Sequence, residues 1–242
     1  TRFLAIYNEG VADNVGPVRS ARPYFVMKAA EHNAIFAHAG GSVEAYVYMK
    51  EMNIDTIDEF KFFQAFWRSK DRKAPHNLYT SIANLRNQAQ RLGYNKPIKG
   101  GGFPIRTPQE ALGTEEAPQV EIIYANDYRV KFTWDAAQRM YRRFINDKPH
   151  VDSLNGQQVT TSNIIIQVTE QKVKDDEGRI EITFVGKGNG WILVDGKAAA
   201  IRWEKNSLGE KTRFYYADGR ELKINPGSLW IEVVSSQNKV VM

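Results

Sequence analysis

Hydrophobic positions fall into two textures along the chain. In the first part, short apolar runs alternate with stretches whose apolar residues recur every three or four positions. In the second, runs of strand length follow one another with turn residues between them. The run Phe3-Leu4-Ala5-Ile6-Tyr7 predicts a strand over 3–8. A helix is expected from Ser20, acting as its cap, to about Glu31, with Pro23 tolerated in the first turn. Residues 34–38 read as a strand, and Gly40-Gly41-Ser42 leads into a helix over 43–52 capped by Ser42. The pattern over 54–67 is weaker. The clearest helix is 78–92, where Leu78, Ile82, Leu85, Ala89 and Leu92 build one stripe; Asn77 is expected to cap it and Gly93 to end it.

Residues 95–118 hold four prolines and Gly100-Gly101-Gly102, and they read as a loop at a domain boundary. Beyond it, strand-like runs occupy 119–125, 128–134, 138–145, 162–170, 179–185, 190–195, 199–204, 212–217 and 229–235. Asp176-Glu177-Gly178, Asp195-Gly196, Asp218-Gly219 and Asn225-Pro226-Gly227 separate several of them, and Asp-Gly between strands is a hairpin cue. The expected class is α+β: a layered α/β domain over 1–115, then a mostly antiparallel β domain over 116–242. Trp191, Trp203 and Trp230 are expected in the β core, a sugar-stacking face being the alternative.

Composition narrows this picture in three ways. The absence of cysteine excludes disulfides, thiolate catalysis and thiolate metal sites. No apolar run approaches the roughly 18 residues of a spanning helix. Residues 1–115 carry 15 Lys/Arg and 11 Asp/Glu, a net of +4, whereas the remainder, with 18 and 17, carries +1. That surplus suits a local anion pocket better than a nucleic-acid groove, so no nucleic-acid partner is expected. The chain opens at Thr1 directly into an apolar run, which reads as entry in mid-strand, with upstream residues completing the first sheet.

Three segments carry candidate chemistry. Gly16-Pro17-Val18-Arg19-Ser20-Ala21-Arg22-Pro23 sets two guanidiniums beside an expected helix start, where free N–H groups and the dipole also favour anions. Pairing with nearby acids, or satisfying loop carbonyls, is the bland alternative. His38-Ala39-Gly40-Gly41-Ser42 has a phosphate-cradling order of strand, glycines and capped helix, yet matches neither the dinucleotide fingerprint nor the P-loop; a tight turn with an incidental strand-end histidine is the favoured alternative. Around Arg68, Lys70, Arg72 and Lys73 the chain is basic and flanked by aromatics, and it ends in His76-Asn77 at the expected start of the third helix. There a helix dipole would disfavour protonated His76 and leave a neutral base or donor; a solvated basic loop is the alternative.

If the strands of this half are parallel, their ends gather at one rim. Arg19, Ser20, Arg22, His38, Gly40, Gly41, Ser42, Arg68, His76 and Asn77 would then face one hollow. A second polar group comprises Arg143, His150 and Asp152, in which His150 and Asp152 orient one another or simply order a loop. No metal and no cofactor is expected, since two histidines without a carboxylate pattern make a poor zinc site.

These segments together resemble the YerB-like lipoproteins of Gram-positive bacteria, whose two domains have no known function. The likeness runs through Thr1-Arg2-Phe3-Leu4-Ala5, Gly16–Arg22, His38–Ser42 and Pro75-His76-Asn77-Leu78-Tyr79, then Tyr141-Arg142-Arg143, Asp152, Trp203-Glu204-Lys205 and Asn225–Ile231. It implies a lipid-anchored protein at the extracytoplasmic face of the membrane, held there only by an N-terminal anchor outside this chain. It supplies no catalytic residues. The expectation is a non-enzymatic envelope protein that binds an anionic small molecule, a wall component or a protein partner. The rivals are a hydrolase or transferase using a histidine as acid/base on an envelope glycan or phosphodiester, and a non-catalytic assembly scaffold.

Overall fold

The computed structural model describes residues 2–95, 102–107, 110, 115–176 and 178–242. Gly100, Gly101 and Glu177, which figure in the expected loops, lie outside the described residues. The chain divides into two compact units, Thr1–Gly100 with Leu208–Lys211, and Gly101–Ser207 with Thr212–Met242. Together they make an α+β protein whose sheets are mostly antiparallel.

In the N-terminal unit the first helix, α1, spans Pro23–Glu31 rather than starting after Ser20. Proline fits the first helical position because its missing N–H has no partner there. It also drives the preceding residue out of the helical region, and Arg22 is extended at φ −134°, ψ 151°. Arg22 is therefore the cap residue, outside the first turn. Strand β1 (Phe36–His38) leads through α2 (Val43–Glu51) to β2 (Thr56–Asp58), which pairs parallel with β1 and sets His38 opposite Asp58. Ser42 caps α2 as expected, its hydroxyl accepting from the Ala45 amide at 3.3 Å. Val26, Ala29, Phe36, Ala45 and Met49 bury the facing sides of these elements.

A short 3₁₀ turn, Phe63–Ala65, precedes β3 (Phe66–Arg68), which pairs antiparallel with β4 (Leu78–Thr80). This corrects the expected long helix. Residues 78–80 are strand, and α3 runs Ile82–Arg91 with Ser81, not Asn77, accepting from the Asn84 amide at 3.0 Å. Leu78 still belongs to the apolar core, but through β4, beside Ile57, Phe66 and Ala89. The helix ends at Gly93 as expected, with φ +69°. Residues 3–8 form no strand: a strand needs a paired backbone, and no described segment pairs with this one. Phe3, Ile6 and Tyr7 are exposed.

The C-terminal unit begins with β5 (Glu115–Glu116), β6 (Gln119–Ala125), β7 (Tyr128–Asp135), β8 (Met140–Ile145), β9 (Lys148–Pro149) and β10 (Thr160–Thr161). It continues with β11 (Asn163–Thr169), β12 (Gln171–Val173), β13 (Ile180–Ile182), β14 (Gly186–Val194), β15 (Lys197–Lys205), β16 (Arg213–Tyr216), β17 (Leu229–Ser235) and β18 (Lys239–Val241). One sheet has the order β10-β8-β7-β6-β18, and the other β16-β15-β14-β11-β17. All pairings in them are antiparallel except β11 with β17.

The run Ile164-Ile165-Ile166 in β11 shows why this strand is central. Ile164 and Ile166 enter the core shared with Val120, Ile122, Val130 and Phe132, while Ile165 enters a second core with Ile192, Trp203 and Phe214. A strand buried on both faces reads as continuous apolar sequence. Trp203 is buried in the second core, and Trp191 and Trp230 pack against the first. Asp195 (φ 53°) and Gly196 (φ 74°) turn β14 into β15 with two successive left-handed residues, the geometry a tight hairpin requires.

Gly190 of β14 lies beside β11, and a Cβ there would stand 2.1 Å from the Ile166 carbonyl oxygen. That oxygen is backbone within a paired strand and cannot move aside. Gly190→Ala should therefore destabilise the C-terminal unit by roughly 1–3 kcal/mol, the usual cost of overpacking. Urea unfolding monitored by tryptophan fluorescence measures it, and an unchanged midpoint would contradict the packing described.

Candidate functional site

The backbone of residues 15–22 is stitched between two loops. On one side, the Val15 and Val18 amides donate to the Thr80 and Leu78 carbonyls at 2.7 and 2.8 Å. On the other, the Ala39 amide donates to Arg19 O at 3.2 Å, Ala21 to Gly40 O at 2.8 Å and Ser42 to Ala21 O at 3.3 Å. Ala21 and Gly41 form a parallel bridge, so the starts of α1 and α2 lie side by side. The two glycines answer different demands. Gly40 takes φ +63°, which favours a residue without Cβ. Gly41 admits close approach, because a Cβ there would lie 3.2 Å from that of Ala21.

Three arginines gather on this frame. Arg19 Nη1 donates to the His76 Nδ1 at 2.9 Å and to Pro75 O at 3.2 Å. The same Nη1 also lies 3.4 Å from His76 Nε2, so the guanidinium faces the edge of the imidazole. Arg22 Nη1 donates to Ala21 O at 2.9 Å, and Arg2 Nη1 to Ser20 O at 3.0 Å. Burial lowers the pKa of Arg2, and the positive charges of Arg22 and Arg19 lower it further against the opposing effect of Tyr24. The three cations thus share one electrostatic neighbourhood. Among the described residues, none of them forms an ion pair with a carboxylate. The positive ends of two nine-residue helices add to the same potential.

The remaining residues of the expected hollow divide. Arg68 turns to Glu59 at 3.1 Å and to the Asn77 Oδ1 at 3.3 Å, while Asn77 Nδ2 donates to Ser69 O at 3.3 Å. Arg68 and Asn77 therefore order their own loops. His76 is exposed beside Arg19, in a loop six residues ahead of α3, so it does not sit at a helix start. His38 is only 1% exposed and leaves the rim altogether. Its ring stacks on Phe36 and meets the edge of Tyr46. Its Nδ1 donates to Gly40 O at 2.9 Å, which leaves Nε2 as an acceptor without a partner among the described residues. A concavity of about 280 Å³ lined by Ala30, Asn33, Glu51, Met52 and Asp55 lies at the other ends of the same helices.

One determinant was not legible in the sequence. Asp58, almost fully buried, accepts from the Gly40 amide at 3.0 Å, the Phe60 amide at 3.2 Å and the Tyr46 hydroxyl at 2.8 Å. Burial alone would raise its pKa, but these hydrogen bonds and the nearby His38 hold it below the usual carboxylate value. Tyr46 is pushed up to about 12 by burial and by its bond to Asp58. Arg2 was also not identified as a site residue. It stands 17 positions before Arg19 and 20 before Arg22, too far along the sequence to be grouped with them by spacing.

The second polar group is a buried network rather than an open site. Arg143 is fully buried, with its Cζ 4.5 Å from the Trp230 ring centre. It bonds to the His150 Nδ1 at 2.8 Å and to Glu232 Oε1 at 3.2 Å, and Tyr124 supplies Oε2 of Glu232 with a hydroxyl at 2.6 Å. Burial, then the charge of Arg143, lowers the pKa of His150. Asp152 accepts from the Leu154 amide at 2.8 Å and orders its loop. Among the described residues there is no group of three or more His, Cys, Asp or Glu arranged to hold a metal.

Comparison with known proteins adds a family. The N-terminal domain of the "Protein of unknown function (DUF3048)" family matches residues 1–95, and its C-terminal domain matches residues 120–231. The "Putative lipoprotein YerB" of Bacillus subtilis (strain 168) is 29% identical over 239 residues, covering 97% of this chain and 71% of that protein. The crystal structure of YerB from Bacillus subtilis superposes with a TM-score of 0.82 at 26% identity, over 95% of this chain and 78% of that one.

Two measurements check this geometry. Burial is the largest influence on His38 and lowers its pKa, against the weaker raising effects of its Gly40 bond and Asp58. The folded state therefore binds this proton less readily than the unfolded chain. The resulting stability is present above the unfolded value near 6.5 and is lost as pH falls through the folded one. Thermal unfolding should show Tm dropping between pH 7 and 5, and His38→Asn, which retains a donor for Gly40 O, should flatten that slope. Glu232→Gln, which leaves Arg143 buried without a full counter-charge, should cost roughly 3–5 kcal/mol in urea unfolding.

Proposed function

This chain belongs to the DUF3048 family, and from the arginine corner of its N-terminal domain we propose that it binds an anionic group without catalysing a reaction. The observation that carries the reading is the set Arg2, Arg19 and Arg22: three guanidiniums close in space with no carboxylate partner among the described residues. Like charges held together cost folding energy unless something compensates them. Guanidinium forks match carboxylate and phosphate oxygens in pairs, which makes an incoming oxyanion the natural compensation. His76 lies exposed beside Arg19 at the edge of this set.

Of the two histidines, exposed His76 stands beside Arg19, while buried His38 is not placed for acid/base work. An acid/base role needs an imidazole within reach of a substrate proton, and His38 is enclosed by Phe36 and Tyr46. Its ring serves the turn at Gly40 instead. By likeness to a relative named as a lipoprotein, the chain is read as standing at the extracytoplasmic face of a membrane, carried by a lipid anchor. There, wall polymers, phosphorylated small molecules and acidic protein segments offer the anionic chemistry.

Titration of the chain with inorganic phosphate, followed by amide chemical shifts, should move the signals of residues 19–22 and 40–43. Charged hydrogen bonds are each worth roughly 1.5–3 kcal/mol. The double substitution Arg19→Ala, Arg22→Ala should therefore weaken binding at least about tenfold while leaving Tm within a few degrees. Equal affinity in the double variant would reject the site.

A further inference from the structure

The arginine corner is bordered by an apolar surface that the anion reading alone leaves unused. Val43, Tyr46 and Val47 occupy one outer face of α2 and are 78%, 40% and 45% exposed. Spacings of three and four make them neighbours on the helix. Phe60, at 73% exposed, joins them through the turn: its ring lies 2.7 Å from where a Gly40 Cβ would stand, and its amide shares Asp58 with the Tyr46 hydroxyl. Phe63, three residues on, is also 73% exposed. Single exposed apolar residues are ordinary, but a contiguous set marks an interaction surface.

The patch runs into the cations without a break. Gly41 lies between the Tyr46 ring and Ala21, and the Ala21 carbonyl holds Arg22. Lys61 follows Phe60 and is exposed, and Glu59 before it is neutralised by Arg68. Glu44, in the first turn of α2, is the carboxylate this surface must accommodate.

We propose that this face of the N-terminal domain seats on an anionic phospholipid surface, with Val43, Val47 and Phe60 entering the interface and Arg19 and Arg22 taking lipid phosphates. The inference rests on the anion reading and gives it a ligand class. Two features favour a bilayer over a folded partner. Side chains nearly three-quarters exposed project outward instead of lining a groove, and a fluid surface needs no matching shape. Bordering cations complement the negative charge of such a membrane, as in other interfacial elements that combine apolar insertion with basic residues.

The test is co-sedimentation of the chain with vesicles of phosphatidylcholine alone and of phosphatidylglycerol mixed with phosphatidylcholine in equal parts. Binding should require phosphatidylglycerol and weaken with added salt. Val43→Ser with Phe60→Ser should lower vesicle partitioning at least about tenfold yet leave the phosphate titration unchanged. Arg19→Ala with Arg22→Ala should lose both. Absence of wild-type binding to the mixed vesicles, or undiminished binding by the Val43/Phe60 variant, overturns the membrane inference while a positive phosphate titration keeps the anion site. Failure of wild type to bind phosphate at all overturns the anion site itself. Both variants replace surface residues, and circular dichroism confirms their folding independently.

Discussion

The carboxylate of Asp58 accepts hydrogen bonds from two amides and a tyrosine hydroxyl while almost fully buried. Its three partners come from the turn after β1, from α2 and from its own following loop. Parallel pairing of β1 with β2 places it opposite His38, whose ring holds the same turn by the carbonyl. With the Gly40 amide bound to Asp58 and the Gly40 carbonyl shared by His38 and Ala21, the turn has little freedom left. The cation-bearing segment 19–22 hydrogen-bonds to this turn, so its position depends on a charge it never touches.

The two groups of arginines make opposite use of charge. Arg143 is enclosed, faces an aromatic ring and bonds to Glu232, whose second oxygen is itself supplied by Tyr124. A buried charge is tolerated when a counter-charge faces it. Arg2, Arg19 and Arg22 instead bond to carbonyl oxygens or to an imidazole, which accept hydrogen bonds without cancelling a full charge. The first arrangement belongs to a core and the second to a surface left open for something negative.

Much of the fold was legible in the sequence, and the misreadings have local causes. Strands such as β7, β11 and β17 announce themselves by alternation or continuous β-branched runs between turn residues. The start of α3 was misplaced because Asn77 and Ser81 are both capping residues four apart, and Leu78 continues the helical stripe although it lies in β4. Only pairing with β3, a contact at a distance in sequence, decides between them. Residues 3–8 carry strand composition, but composition cannot provide a neighbour. Arg19 and His76 were named as companions and do meet. Parallel strand ends gathering at one rim predict an open His38; its burial comes from Phe36 and Tyr46, which flank it only once α2 has packed. Asp58 escaped notice because its role is set by register across a parallel pair.

Each guanidinium of the corner is already moored by one nitrogen to an oxygen or imidazole of the domain. Immobilising long, flexible side chains ordinarily opposes the capture of an ion. Here that loss of rotamer freedom accompanies folding, before any visitor arrives, so an arriving oxyanion meets donors that need only turn their unused N–H groups toward it.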